Sequence, residues 1–558
     1  MVADDEGVLH KDHWSRETIA EKLAEYEQAD QGTSSQRQLA QELGIPRTTL
    51  QHWLERKEIL DVDPAVAVFF GSPAGVAFLR RIVLAAHFVM TLVGPCGIRL
   101  VSLLLELSGL DAFVAASYGP QQKVSMAMEQ SVVAFGQEEK ENLKAGIPSG
   151  KQITVCQDET FHPEICLVAI EPVSNYILLE KYADSRTADE WTRSMASATQ
   201  SLPIEIIQST SDEGRGILRH VKEDLGVSHS PDVFHVQQGL VQGTSIALAN
   251  RKRQAEQAVD EAAERVSQTQ KKQAAAVNLD QEIEAAQEQE RQARQVLETN
   301  VQQQQQVSQT IREIGTEYHP YDLETGKPRS AEQLATSLAQ RFADIEAVAT
   351  AANLPERCVK KIHKAKKVIL EMVATLAFFW IAVQTKVEAL SLAPEVEQIV
   401  YNHVIPAMYL HLVAKKTSDP ARRSMLHKQS EALLAPALSA SGPLAGLQLE
   451  EVQVIERVAW ECAQCFQRSS SCVEGRNGQL SLRHHSLHRL TDRKLTALTT
   501  VHNFFIQRSD GTTPAERFFG TKPRDLFEWL LDRVELPGRP AQKRHQPCRK
   551  EFLPQFAS

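Results

Sequence analysis

The sequence predicts an α/β protein with one mixed five-stranded sheet, split by a large all-α insertion and preceded by all-α segments. Three observations carry that expectation. Short β-branched, apolar runs with turn residues between them cluster from Lys151 to Val236. Directly after them, Arg251 to Glu313 is rich in Gln, Glu, Ala and Arg and has neither Gly nor Pro. Amphipathic helical spacing fills most of what remains. At 558 residues several domains are expected, and 42% apolar content suits a globular chain. The formal net charge is −10, so local basic clusters say more about anionic partners than the total does.

Ser15 to Glu58 reads as three short helices. The first begins near Ser15 and runs through Ile19, Leu23 and Tyr26; the second follows Gln31-Gly32-Thr33-Ser34 and carries Leu39 and Leu43. Gly44-Ile45-Pro46 is a tight turn into a third helix, Pro46 to Arg56, with Leu50, Trp53 and Leu54 inward. A tight turn between two amphipathic helices, with Pro opening the second, is helix-turn-helix spacing. Arg47, Thr48, Thr49, Gln51 and His52 then face outward as donors to phosphates and base edges. A helical hairpin with no DNA role has the same spacing.

Phe69 to Leu110 is the most apolar part, but Arg80, Arg81, His87, Pro95 and Arg99 interrupt it. It lacks the ~20 uninterrupted apolar residues of a membrane span, so buried helices are expected. Val101–Ser117, a turn at Ser117-Tyr118-Gly119-Pro120, and Lys123–Phe135 have the spacing of a second helix-turn-helix.

The strands come next. Ile153 to Gln157 is a β-type run ending at Asp158-Glu159, Ile165–Ile170 is a second strand, and Pro172-Val173-Ser174-Asn175 turns into a third at Tyr176–Lys181. Thr187 with Glu190 three residues on is a capping box opening a helix to about Gln200. Pro203–Gln208 is a fourth strand, closing at Ser211-Asp212-Glu213-Gly214. A helix over Gly216–Leu225 and a fifth strand over Asp232–Val236 complete the unit. The order βββαβαβ is the layout of an RNase H-like core. Parallel strands joined by crossover helices present their carboxyl ends on one edge, which brings Asp158 and Asp212 together.

Beyond the fifth strand, Leu279, Ile283, Ala286, Ala293, Leu297, Val307, Ile311 and Ile314 form a heptad seam diluted by polar residues. Asn278-Leu279-Asp280 offers a break, leaving open an antiparallel hairpin or one rod of about 90 Å. Such a coiled coil suits a homodimer or higher oligomer, or a reach along DNA. Tyr318 to Pro328 is a turn-rich linker, and helices are expected at Ala331–Ala351 and from Pro355 to about Leu390. The second carries Arg357, Lys360, Lys361, Lys364 and Lys367 at its start, a phosphate contact or a solvated face. Trp380 reads as core, with stacking on a flipped base as the other option.

Asp158-Glu159, Asp212-Glu213-Gly214, Asp232-Val233-Phe234-His235 and Val473-Glu474-Gly475-Arg476-Asn477-Gly478 resemble, in their order, the DDE transposases of bacterial insertion sequences. The likeness is to the subset with a helical insertion before the last acid. Leu495-Thr496-Ala497-Leu498, His502-Asn503-Phe504 and Asp510-Gly511-Thr512-Thr513-Pro514 continue it, so that it spans Lys151 to Leu530. It implies strand cleavage and strand transfer on the DNA of element ends and target. Asp158, Asp212 and Glu474 would be the catalytic acids and the ligands of two Mg²⁺ ions, with Mn²⁺ able to substitute. Asp158 would bridge both ions. Two cations a few ångströms apart activate the attacking oxygen and stabilise the leaving one. Mg²⁺ suits that role because it needs few carboxylates and keeps places for water and phosphate.

Glu159, Asp232 and His235 are expected as supporting groups, Asp232 being the rival for the second acid. The basic stretch from Arg476 through Arg483, Arg489, Arg493 and Lys494 to Arg508 is expected to hold DNA beside the third acid. Two other readings stay open: a DNA-binding coiled-coil scaffold without catalysis, and a nuclease without strand transfer. Cys462, Cys465 and Cys472 with His484, His485 and His488 have a weak zinc spacing, since Cys462-Ala463-Gln464-Cys465 lies in a helical pattern and a second Cys pair is missing. Met1 to Gly7 is acidic rather than signal-like, so a cytoplasmic, nucleoid-associated protein away from membranes is expected. The expected division is 1–62, 63–148, 149–245, 246–468 with the coiled coil at 251–314, 469–532, and a basic tail over 533–558.

Overall fold

The computed structural model describes residues 14–29, 35–57, 62–148, 150–161, 164–273, 280–487 and 490–540. Three helices lead: α1 (Arg16–Gln28), α2 (Gln36–Glu42) and α3 (Arg47–Lys57). Ser15 caps α1 by accepting from the Thr18 amide, and Ser35 with Gln38 forms a capping box on α2. Leu23, Ala40, Ile45, Leu50 and Trp53 close their small core. Gly44 has φ +66°, so the turn between α2 and α3 uses the left-handed region that glycine enters freely. The expected turn at Gln31 to Ser34 lies outside the described residues.

α4 (Pro64–Gly71), α5 (Pro73–His87), α6 (Ile98–Leu107) and α7 (Tyr118–Leu143) follow. The expected turn at Tyr118-Gly119-Pro120 is instead the first turn of α7, with Ser117 just before it. Proline fits there because a first-turn amide has no helical partner to lose. α7 is also no separate domain: Val124, Met128, Val132 and Phe135 share a core with the sheet.

β1 (Lys151–Phe161), β2 (Ile165–Glu171), β3 (Tyr176–Ala183), β4 (Ile204–Ser211) and β5 (Ser228–Pro231) form one sheet in the order β3-β2-β1-β4-β5. The β1–β2 and β2–β3 pairs are antiparallel, while β1–β4 and β4–β5 are parallel. α8 (Ala188–Thr199) and α9 (Arg215–Arg219) cover one face through Trp191, Met195 and Ile217. The fifth strand ends earlier than the expected Asp232–Val236. Asp232 accepts from the Phe234 amide at 2.7 Å and starts a helix.

That helix, α10 (Val233–Gln273), and α11 (Asp280–Glu317) run antiparallel, Gln237 Nε2 donating to the Ile311 carbonyl at 2.7 Å. Of the two arrangements left open, the hairpin is the one formed; Leu279 of the seam lies outside the described residues. α12 (Ala331–Ala351) has the expected bounds. The expected helix from Pro355 to Leu390 is two, α13 (Glu356–Lys366) and α14 (Ile369–Glu388), because tight i−3 bonds at Lys367 and Val368 end the first. α15 (Pro394–Ile399), α16 (Ile405–Lys416), α17 (Pro420–Leu438) and α18 (Leu449–Cys465) complete one helical body around Tyr321, Phe342, Phe379 and Leu410. Trp380 lies against it, donating to the Arg329 carbonyl at 2.9 Å.

The chain leaves the sheet at Asp232 and returns at Ser470, where the Ser470 amide donates to Asp232 at 3.0 Å and the Val233 amide to the Arg468 carbonyl at 3.0 Å. The insertion therefore starts at 233 rather than 246. α19 (Ser471–Leu487), α20 (Asp492–Phe504), α21 (Pro514–Phe519) and α22 (Leu526–Leu531) return to the sheet's second face with α7. Two stretches, Pro73–Val93 and Glu356–Glu388, are long and apolar enough to cross a membrane, and half of the first window and a third of the second are buried. Each carries core residues here, such as Leu79 and Val83 or Met372 and Phe379.

Candidate active site

Gln157 and Ser211 pair across the parallel strands β1 and β4, so the next residues, Asp158 and Asp212, leave the sheet side by side. Glu474 comes from the first turn of α19, a helix that packs on β1. Three residues later on the same face, Asn477 Nδ2 donates to Asp158 Oδ2 at 2.9 Å. The Glu159 amide donates to Asp158 Oδ1 at 2.8 Å. His235 Nε2 stands 3.2 Å from Glu474 Oε1, at ion-pair distance but outside hydrogen-bond geometry. Asp212 Oδ1 accepts from the Gly214 amide at 3.0 Å, an Asx turn that holds the carboxylate at the strand end.

The Asp158 carboxyl is pushed up to about 7, first by burial and then by the charges of Asp212 and Glu474. Three acids thus meet with little positive charge to balance them. Asn477 Oδ1 is buried and has no hydrogen-bond partner. Among the described residues, no three His, Cys, Asp or Glu side chains are gathered closely enough to enclose an ion. The donor set is still one for a hard cation. Oxygen ligands in an open arrangement are what Mg²⁺ takes, since it completes its shell with water and phosphate.

Asp232 does not join this group. Its two oxygens are occupied by the Phe234 amide and by the amide and hydroxyl of Ser470, which makes it the pin closing the insertion. Glu159 faces away from Asp158, as strand alternation requires, and accepts from Trp191 Nε1 at 3.1 Å and Arg186 at 3.3 Å. Behind Asp212, Ser211 Oγ lies 3.0 Å from His229 Nε2, whose Nδ1 lies 2.8 Å from Glu371 on α14. His229 and Lys222 pull the Glu371 carboxyl down to about 2, so the insertion braces the end of β4 that precedes Asp212.

The basic stretch expected to hold DNA is largely internal. Arg476 makes a bidentate pair with buried Glu180 at 2.7 and 2.6 Å. Arg483 donates to the Leu92, Val93 and Gly94 carbonyls, and Lys494 pairs with Glu129 at 3.1 Å. None of the three is placed to hold a phosphate, and Arg489 and His488 lie outside the described residues. The positive wall of the site comes from α13 instead. A cleft of about 410 Å³ runs from Asp212, Asp232 and His235 to Lys361 and Lys364. Lys360 points elsewhere, paired with Glu356 at 2.8 Å. A Cβ at Gly243 of α10 would stand 3.2 Å from the Lys361 Cβ, so this glycine lets α13 approach.

On α3, Arg47, Thr48, Gln51 and His52 are exposed and Thr49 half-buried, the outward face that the sequence predicts. Cys462 and Cys465 lie buried in α18, and Cys472, a free thiol, lies at hydrogen-bond distance from the Cys156 thiol rather than beside them. Sequence reading missed Asn477 and undervalued Lys361. The first was legible as the residue one helical turn after Glu474.

Residues 400–546 match a protein-family model described as a family of unknown function (DUF6399), a span from the end of the insertion through Glu474 to the C-terminal segment. No curated protein and no solved structure matches the chain.

Proposed function

We propose that the protein is a DDE-type DNA transposase that cleaves and joins DNA strands with Mg²⁺ held by Asp158, Asp212 and Glu474. One observation carries the reading. Acids from three distant segments of chain meet at one edge of the sheet, beside a cleft with two lysines on its far wall. The strand succession βββαβαβ and the order β3-β2-β1-β4-β5 support an RNase H-like core. The exposed donors of α3 support a DNA-reading domain.

Bound metal would supply an activated oxygen nucleophile and charge stabilisation for the leaving oxygen. The protein does the positioning. Asn477 fixes the Asp158 rotamer, the Gly214 amide fixes Asp212, and His235 stands beside Glu474, able to pair with it when protonated. Lys361 and Lys364 take the phosphates of a strand entering the cleft. Membership of a homodimer or higher oligomer belongs to the same proposal, since cutting and joining two element ends needs two such sites.

The test incubates purified protein with its own flanking DNA in Mg²⁺, comparing wild type with Asp158→Ala. Joined products that vanish in the variant support the reading. Cutting without joining replaces it with a nuclease, and binding without cutting leaves a DNA-binding scaffold.

A further inference from the structure

Residues 532–540, which follow α22, pack back on the fold. Arg80 Nε donates to the Val534 carbonyl at 3.1 Å, Leu536 is buried with α5 and α6, and the Ala115 amide donates to the Gly538 carbonyl at 2.9 Å. Arg16 of α1 donates to the Pro537 carbonyl at 3.3 Å, and Arg56 of α3 to the Pro540 carbonyl at 3.4 Å. These bonds strap the segment across the helix-turn-helix and bring Arg539 beside Arg16 and Arg56.

The three guanidiniums line a cavity of about 270 Å³ with Trp14, Trp53 and His52. Glu17 is the carboxylate acting on Arg16 among the described residues, and it is shared with Arg80 at 3.5 Å. Like charges held together in a half-buried cavity repel, and an anion seated among them relieves that repulsion. Burial and the neighbouring arginines already pull the Arg16 guanidinium down to about 10. The rim carries His52, which shares the exposed face of α3 with Arg47, Thr48 and Gln51. The cavity therefore opens where a duplex on α3 would lie.

We infer that this cavity binds a backbone phosphate of duplex DNA, with Arg16, Arg56 and Arg539 as donors, so that α1, α3 and the segment that follows α22 build one reading head. The inference rests on the proposed DNA-reading role of α1–α3. Planar guanidiniums suit the site, because their forked donors match phosphate oxygens.

Arg539 is the residue to change, since Arg16 and Arg56 also hold the backbone of the strap. Full-length protein is titrated onto a labelled random-sequence duplex over a range of salt concentrations. Arg539→Ala should weaken binding about tenfold and reduce the slope of log K against log salt by about 1, and Arg539→Lys should restore most of the slope. Arg47→Ala is measured in parallel. If Arg47→Ala weakens binding while Arg539→Ala matches wild type, this inference alone is overturned. If the wild type binds no duplex, the DNA-reading role falls and the inference with it. A third arm titrates inorganic phosphate at constant ionic strength. A rise in wild-type Tm that Arg539→Ala abolishes, with the duplex slope unchanged, would make this a free-phosphate site and overturn the DNA assignment.

Discussion

Two regions of the molecule are rich in charge and use it in opposite ways. Along α19 and α20, Arg476, Arg483 and Lys494 are each neutralised or capped inside the protein. Around the cleft, Lys361 and Lys364 make no ion pair among the described residues, and the charges of Asp212 and Glu474 act on the buried Asp158 carboxyl. The first set holds the fold together. The second is left available to a ligand. Charge density along a sequence does not separate the two cases, because the distinction depends on which side of a helix meets another element.

The largest expected effect breaks the first region. Arg476→Ala strands the Glu180 carboxylate in the interior, where its remaining partner is the Thr499 hydroxyl at 2.6 Å. A loss of about 3–5 kcal/mol is expected in denaturant unfolding. A loss below about 1 kcal/mol would mean that water reaches Glu180 and that the pair is a surface one.

Asp158→Asn should act in the other direction. Between its ordinary value of 3.8 and about 7, the folded protein keeps a proton on Asp158 that the unfolded chain has released. Ionising the buried group therefore lowers stability as pH rises through this window, and the full cost is present above it. In EDTA at pH 8 the variant should be more stable than wild type by up to about 4 kcal/mol, the gain fading towards pH 4. The new amide meets the Asn477 Nδ2 donor, and a flip of the Asn477 amide, which turns its unpartnered Oδ1 towards position 158, restores the hydrogen bond. Saturating Mg²⁺ should raise the Tm of wild type and not of the variant. Equal stability at pH 8 would mean that water reaches Asp158 and that ionising it costs little.

Gly243→Ala sharpens the comparison at the wall itself. The added methyl meets the Lys361 Cβ, and about 1–3 kcal/mol of overpacking is expected, together with slower DNA cleavage. Smallest in stability is the pair Lys361→Ala with Lys364→Ala, within about 0.5 kcal/mol of wild type. Its effect belongs to binding. The salt slope for duplex DNA should fall by about 2, and an unchanged slope would remove α13 from the DNA path.

The strand succession was legible in the sequence because β-branched runs, turn residues and the Thr187 cap agree with one another. So was the meeting of Asp158 and Asp212, which follows from parallel strands alone. The fifth strand was misplaced by local composition: Val233, Phe234 and Val236 have strand character, yet Asp232 caps a helix through the Phe234 amide while its other oxygen is held by Ser470, 238 residues away. No window along the chain contains that bond. The same holds for Arg476, whose partner Glu180 sits on β3. What sequence could weigh but not decide was the coiled coil, since a diluted seam serves a hairpin and a rod alike.

The bonds between Asp232 and Ser470 have one more consequence. The helical body from 233 to 469 begins and ends at neighbouring points, so the chain enters and leaves it at one place, while α14 makes a second contact with β5 through Glu371 and Thr375. Replacing it by a short linker leaves every strand connection in place. It can therefore lengthen or shrink at its far end without rethreading the core, whereas its near end, with His235, Lys361, Lys364 and Glu371, is tied to the cleft and to the end of β5.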